Sequence, residues 1–369
     1  MNKIIVIALL LATCLIVPDA VIGAEIGEIQ WHGFLTSAML ITHGAGHDVY
    51  YAGGVSDDGS FEDTRLGLNL TTRIDESWDL TAQMKALGVN DFAMEVDWAY
   101  ASYRPSDSTV LRFGRVKYPV GLVNEYVDVG YTYPWIRPPE AIYSRVVVGP
   151  DITHVSYNGA EASVRKYIRN GEFDFDFIGG YADVPDGHID DLVGTKFRFS
   201  INDEIRFELS GTTGVMDIKD ENSPRYPFSH DKHNTTYTAG IMVDKQNFLM
   251  YTEYAKASMG DKIMDTKSGY VTLGYRIGYY LPHITYERWE AEGGWGQKSI
   301  IVGLRRELTN NSALKLEVHR IAPNKTQKPP CTTDVATGEL VCTGGVGLFD
   351  GVTKYETVYL FGAALEFVF

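Results

Sequence analysis

The sequence predicts an all-β fold, an antiparallel transmembrane β-barrel of about sixteen strands with an apolar outer face and a polar inner one. Three features carry that reading. The body of the chain repeats short alternating segments, its connectors switch between tight and long, and its final stretch, Tyr355 to Phe369, is a two-faced aromatic strand. Phe369, Phe367, Leu365, Ala363, Phe361 and Tyr359 share one parity, while Glu366, Ala364 and Gly362 lie on the other. Side chains alternate across a strand, so one face here is continuously apolar. In water such an edge would invite aggregation; against lipid it is what a closing strand needs.

The chain starts with the basic Met1-Asn2-Lys3, then an uncharged run from Ile4 to Val17, then Pro18-Asp19 and the small residues Ala20 and Gly23-Ala24. That order is a secretory signal peptide, so residues 1–24 are set apart and the barrel is expected over 25–369. The apolar run is too short for an ordinary membrane-spanning helix. Leu11-Ala12-Thr13-Cys14 matches a lipoprotein cleavage site imperfectly, Thr13 being the poor fit.

Alternating segments are expected at 29–41, 62–74, 78–88, 93–104, 109–117, 156–167, 172–181, 192–201, 204–212, 235–243, 247–256, 269–277, 280–289, 298–307, 313–321 and 356–369. In the second, Leu66, Leu68, Leu70 and Thr72 oppose Arg65, Gly67, Asn69, Thr71 and Arg73. In the seventh, Phe173, Phe175 and Phe177 alternate with Asp174 and Asp176; in the fifteenth, Leu314, Leu316 and Val318 oppose Lys315, Glu317 and His319. No helical period competes. Short links such as Arg169-Asn170-Gly171 and Asn202-Asp203 are hairpin turns, whereas 43–61, 118–155, 213–234, 257–268 and 322–355 are long. Short turns on one rim and long loops on the other describe a membrane barrel. A soluble sandwich also alternates, but it predicts neither an exported start nor this rhythm.

Composition narrows the function. The net charge of -15 argues against nucleic-acid binding. Tyr (23) and Gly (37) are abundant, as interface aromatics and tight turns require. With Cys14 in the leader, Cys331 and Cys342 remain, flanking a Pro-, Gly- and Thr-rich stretch. A disulfide is the expected pairing in an oxidising envelope.

The connector 118–155 is the distinctive one. Gly114-Arg115-Val116-Lys117-Tyr118-Pro119-Val120-Gly121 leads into a run carrying Tyr126, Tyr131, Tyr133, Trp135 and Tyr143, stiffened by Pro134, Pro138, Pro139 and Pro150. It is apolar enough to pack rather than wave in solvent. The Gly-Arg-x-x-x-Pro-x-Gly run, the aromatic connector and the terminal Phe strand resemble Gram-negative outer-membrane porins, general and substrate-selective. The resemblance covers the chain in layout, but only 112–145 and the last strand in motif. It implies a homotrimeric channel for small hydrophilic solutes and ions, set in outer-membrane lipid and inserted through its C-terminal strand by the barrel-assembly machinery. It implies too that 118–155 folds back into the lumen.

Carried onto this sequence, the resemblance offers Glu125, Asp128, Arg137, Glu140 and Arg145 as constriction residues, with Arg115 and Lys117 at the root. The lumen-facing parity adds Arg65, Arg73, Lys85, Arg112, Arg165, Lys196, Arg198 and Arg206, mostly from the first nine strands. Glu253, Glu287 and Glu317 come from later ones, and Asp174, Asp176 and Glu208 sit among the basics. A basic wall facing an acidic loop would filter solutes by charge. Arginine forks also suit oxyanions, so an anion-selective pore stands as an alternative.

No Ser–His pair suggests an enzyme, and no cofactor is expected. His43, His47, His230 and His233 could bind a metal but read as solvated loop residues. Asp183, Asp186, Asp190 and Asp191 resemble a loose calcium clamp without the ordered ligand spacing of a dedicated loop. A receptor working through its long last connector is the remaining rival.

Overall fold

A computed structural model describes residues 28–52, 54–144, 156–184, 187–218, 232–258, 265–291, 294–324, 331–333, 340–342, 347–351 and 353–369. The proposed leader, Arg145, Asp186 and His230 lie outside them. The barrel strands are β1 (Gln30–His43), β2 (Arg65–Arg73), β3 (Trp78–Leu87), β4 (Met94–Ser106), β5 (Thr109–Lys117), β6 (Ser156–Ile168), β7 (Gly171–Val184) and β8 (Gly187–Ile201). They continue as β9 (Ile205–Ile218), β10 (Lys232–Lys245), β11 (Phe248–Ser258), β12 (Thr266–Tyr275), β13 (Tyr280–Ala291), β14 (Gly296–Thr309), β15 (Ser312–Pro323) and a closing strand, Val358–Val368. Each pairs antiparallel with its sequence neighbours, and the closing strand bridges β15 and β1, so the described residues form one closed barrel. All sixteen expected segments are present.

Closure is made by backbone. Phe34 to His43 pair with Val368 to Tyr359, and Gly33 and Phe369 exchange N–H···O bonds of 2.8 and 3.0 Å. The Phe369 ring sits edge-on to Trp31 at 6.2 Å. The sheet has the opposite sidedness to a soluble protein. Leu66, Phe113, Val164, Phe177, Leu209, Val271, Ile284, Val302, Val318 and Phe361 are exposed outside. Arg65, Lys85, Lys196, Glu253, Glu287, Lys315, Glu317 and Glu366 are buried on the other parity. No described helix is long and apolar enough to cross a membrane.

The β7–β8 hairpin reaches further than the alternation predicts. Its ladder slips between Gly180 and Ala182, and that of β8 with β9 slips between Asp190 and Val193, with Asp191 at φ 49°. Such bulges break the two-residue period on which the expected strand ends rested. Asp183 and Asp190 are therefore ladder residues, and His188 contacts Asp190 (3.0 Å) and Asp217 (3.6 Å). At the long-connector rim, the chain after residue 346 docks on the first connector. Ala52 N–H donates to Leu348 O (2.9 Å), Lys354 N–H donates to Ala45 O (2.7 Å), and Tyr51 meets Phe349 at 4.7 Å. Cys331–Thr333 and Leu340–Cys342 pair antiparallel, with Cys331 opposite Cys342.

Gly33 is where the seam is tightest, because a Cβ there would lie 2.4 Å from the Phe369 ring. Gly33→Val is expected to destabilise the folded barrel by about 1–3 kcal/mol, read as a lower urea midpoint in detergent. Gly179→Ala, whose nearest new contact is 3.9 Å away, should leave the midpoint unchanged. Equal midpoints for the two variants would contradict the seam geometry.

Candidate functional site: the barrel interior

Two glycines release the chain from β5 and steer it. Gly114 has φ +135°, and a Cβ there would meet Ala99 O at 2.4 Å. Gly121, at φ +82°, passes so close to the far wall that a Cβ would lie 2.5 Å from Tyr143 Oη and 2.8 Å from Glu253 Oε1. Only glycine takes both the left-handed backbone and that approach. This explains the Gly-Arg-x-x-x-Pro-x-Gly spacing.

From there, residues 118–144 bond to inward side chains of strands all round the barrel. Glu253 on β11 accepts from Leu122 N–H (3.2 Å), Tyr143 Oη (2.6 Å) and Tyr270 Oη (3.2 Å). Glu287 on β13 accepts from Ala141 N–H (3.1 Å), and Glu317 on β15 from Ile136 N–H (3.1 Å). Lys315 donates to Gly130 O (2.6 Å) and Trp135 O (2.5 Å), and Arg305 to Tyr131 O (2.5 Å) and Tyr133 O (3.0 Å). Trp135 Nε1 reaches Thr285 Oγ1 (2.9 Å). These carboxylates and amines are the hydrogen-bond partners of irregular backbone that has no ladder of its own. Between the bonds lies an apolar cluster of Leu122, Val127, Tyr133, Trp135 and Tyr143 against Leu249, Tyr251, Tyr270 and Leu281.

On the other side the segment's acids meet the basic wall. Asp128 accepts from Lys85 (3.0 Å) and Lys117 (3.2 Å), and its carbonyl from Arg65 Nε (2.8 Å). Asp97 holds the same two lysines at 2.9 and 2.8 Å. Glu125 pairs with Lys196 and with Arg198 (3.3 Å). Arg137 forks onto Asp63 (2.9 and 2.5 Å) and reaches Glu140 at 2.9 Å, and Glu140 also accepts from Tyr51. Burial works against the Arg137 charge, but Asp63 and then Glu140 outweigh it and push the guanidinium further up. The Tyr143 hydroxyl is raised by burial first and by Glu253 second, which keeps it a donor.

Space remains on the β4–β8 side, an open cavity of about 500 Å³ whose lining includes Arg112, Arg165, Arg198, Glu125, Glu161, Asp174 and Asp176. Its arginines are matched by carboxylates: Arg112 with Glu161, Arg165 with Asp174 (2.6 Å), and Arg198 with Glu208 (3.2 Å). Arg73 lies 3.5 Å from Asp79, and Arg206 is opposite Met242 on the Glu208 parity. The structure thus gathers Lys117, Glu125, Asp128, Arg137 and Glu140 around segment 118–144. Arg115 is not gathered with them; it falls opposite Ala99 and donates to Val96 O at 3.2 Å, beside the outward Val96 side chain.

Sequence reasoning missed Asp63, Asp97, Glu161, Arg305, Lys315 and Glu366 as interior partners. All but Asp97 were findable as charged residues on the faces of the expected strands. Asp97 was masked by the slip between Gln83 and Met84 in the β3–β4 ladder. Among the described residues no cluster could hold a metal, and His47 is an exposed neighbour of Asp57 at 3.7 Å.

A closed barrel with charged groups inside and apolar groups outside is the architecture of a transmembrane β-barrel. No protein-family model matches the sequence, and no curated protein does. Solved structures do. The anion-selective porin from Comamonas acidovorans aligns with TM-score 0.61 at 14% identity, over 93% of this chain and 99% of that one. Salmonella typhi OmpF, in complex with daunomycin, aligns with TM-score 0.61 at 12% identity, over 93% and 98%. The outer membrane channel DcaP of Acinetobacter baumannii gives 0.55 at 10%, over 93% and 97%. The chain has the fold of sixteen-stranded outer-membrane porins.

Removing one wall carboxylate should loosen the segment without opening the barrel. Glu253→Ala leaves Leu122 N–H and two tyrosine hydroxyls without their acceptor, at about 1–3 kcal/mol for each buried group. Amide exchange at Leu122 and Val123 is expected to accelerate at least about tenfold while β11 and β12 keep their protection. Unchanged exchange would contradict the tie.

Proposed function

We propose that the protein is a passive porin that lets small hydrophilic solutes and ions diffuse across the bacterial outer membrane, without cofactor or catalysis. The observation that carries this reading is the open, charge-lined space of about 500 Å³ on the β4–β8 side inside a barrel whose outside is mostly apolar. Segment 118–155 acts as the constriction, and the ties of its described part, 118–144, to the barrel wall support that role. Residues 1–24 are removed on export, residues 25–369 form the membrane barrel, and 322–355 is an extracellular loop. Cys331 and Cys342, opposite each other in their short hairpin, form its disulfide. The protein assembles as a homotrimer, and strand 356–369 is its signal to the assembly machinery. The trimer form solved for OmpT of Vibrio cholerae supports the assembly by analogy of fold.

The pairing of cavity charges favours weak selectivity over a strong preference for anions, because each arginine field is cancelled close by. Purified full-length protein in planar bilayers should give ohmic channels with a reversal potential near zero in a potassium chloride gradient. Arg112→Ala leaves Glu161 uncompensated and should shift the reversal potential toward cation preference; Glu161→Gln should shift it toward anions. Absence of channels would overturn the porin reading. A wild-type anion preference abolished by Arg112→Ala would replace weak selectivity with the anion-selective alternative.

A further inference from the structure

Tyr51 belongs to the first long connector, yet it is fully buried and reaches the third. Its hydroxyl donates to Glu140 Oε2, and Glu140 also accepts from Arg137, whose fork holds Asp63. Gln297, near the start of β14, donates from Nε2 to Tyr51 Oη at 2.9 Å. The oxygen of the same amide accepts from Leu348 N–H at 3.2 Å, in the last connector. That backbone donor fixes which end of the Gln297 amide is oxygen. Leu348, Gln297, Tyr51 and Glu140 thus form one relay, each donating to the group a step nearer segment 118–144. Hydrogen bonds aligned head to tail in a dry site strengthen one another. Burial first, and Glu140 second, raise the Tyr51 hydroxyl well above its ordinary range, so it stays a donor.

Packing follows the same path. Ala45 and Val55 of the first connector, Ile136 and Ala141 of segment 118–144, and Leu348 and Phe349 of the last connector lie in one buried apolar cluster. The Phe349 ring meets Tyr51 at 4.7 Å, and Ala52 N–H donates to Leu348 O. Gly347 lets the last connector come this close: its φ is +62°, and a Cβ there would lie 2.6 Å from Gln297 Oε1. The stretch Glu140–Tyr143 is a single helical turn, too short to hold its own shape. Its surroundings fix it: Glu287 accepts from Ala141 N–H, and Tyr51 holds the Glu140 carboxylate.

We propose that Tyr51 is a positioning residue for the constriction and that the last connector seats it, so that residues 347–351 set the shape of 137–143 from the extracellular rim. The assignment rests on the porin reading, which makes 118–144 the narrowing of a channel and the long-connector rim its outer mouth. A residue that only packed would stabilise the barrel as a whole. A positioning residue acts on the single turn at 140–143 and leaves the strands as they are.

The test measures amide hydrogen exchange of full-length protein in detergent, with planar-bilayer recordings of the same samples. Tyr51→Phe keeps the ring against Phe349 and deletes only the hydroxyl. Exchange at Ala141 and Ile142 should accelerate about tenfold, and open-channel current noise should rise about twofold. Leu122 and strands β11 and β13 should keep wild-type exchange. Phe349→Ala, in a different connector, should accelerate the same two amides. The double variant should exchange no faster than the faster single, because both act through one contact. If circular dichroism shows that Phe349→Ala does not fold, Phe349→Leu replaces it, with a smaller acceleration expected. Unchanged exchange at Ala141 and Ile142 in Tyr51→Phe overturns the assignment, as does acceleration spread evenly over the strands. Faster exchange in Tyr51→Phe with Phe349→Ala at the wild-type rate overturns the seating by the last connector, and the proposal with it. Faster exchange at unchanged current noise would leave Tyr51 a structural tie and overturn its positioning role. Channels with unmoved exchange would sink this assignment alone, whereas faster exchange without any channels would sink the porin reading and the positioning role that rests on it.

Discussion

Gly33 and Phe369 exchange two backbone hydrogen bonds, and with them the last free edge of the sheet disappears. In lipid no water replaces a missing partner, so each unpaired N–H or C=O would cost several kcal/mol and an open sheet could not span. Closure frees the outer face to carry mostly apolar and aromatic side chains and leaves the inner face to hold most of the buried charge. The same strands that expose Phe177, Val271 and Phe361 bury Asp176, Thr272 and Leu360. Everything described inside the barrel follows from that division.

The interior charges serve two purposes. Glu253, Glu287, Glu317, Lys315 and Arg305 bond the backbone of segment 118–144, which has no sheet partner. They stand in for the water or ladder that irregular backbone otherwise needs. Lys85, Lys117, Lys196 and Arg198 meet the segment's own acids, Asp128 and Glu125. Together these ties hold the segment against opposite walls, and the polar cavity that remains is lined by matched pairs. The transverse field expected from a basic wall facing an acidic loop is thus collapsed into short contacts.

Sixteen strands were legible because a period of two is a local signal that needs no partner to be read. The reach of β7 and β8 was not, since bulges at Gly180 and Asp190 shift parity where the pattern still looks like loop. Parity also showed which charges turn inward but not which of them meet. Lys85 and Lys117 stand on non-adjacent strands yet converge on Asp97 and Asp128, a fact of barrel curvature and strand stagger. Glu253 and its fellows were read as lumen acids; their bonds to backbone N–H depend on the path of a connector whose course no local pattern encodes. Arg115 was placed at the root of the connector by motif alone; plain alternation from the inward Arg112 through the exposed Phe113 puts it on the outward face.

Spin labels placed one at a time along β6 probe the two-sided barrel most directly. At Ser163, which lines the cavity, a water-soluble nickel chelate should collide with the label far more often than membrane-dissolved oxygen does, and at the outward Val164 the order should reverse. Equal chelate access at both positions in lipid bilayers would mean that β6 is not a wall between oil and water.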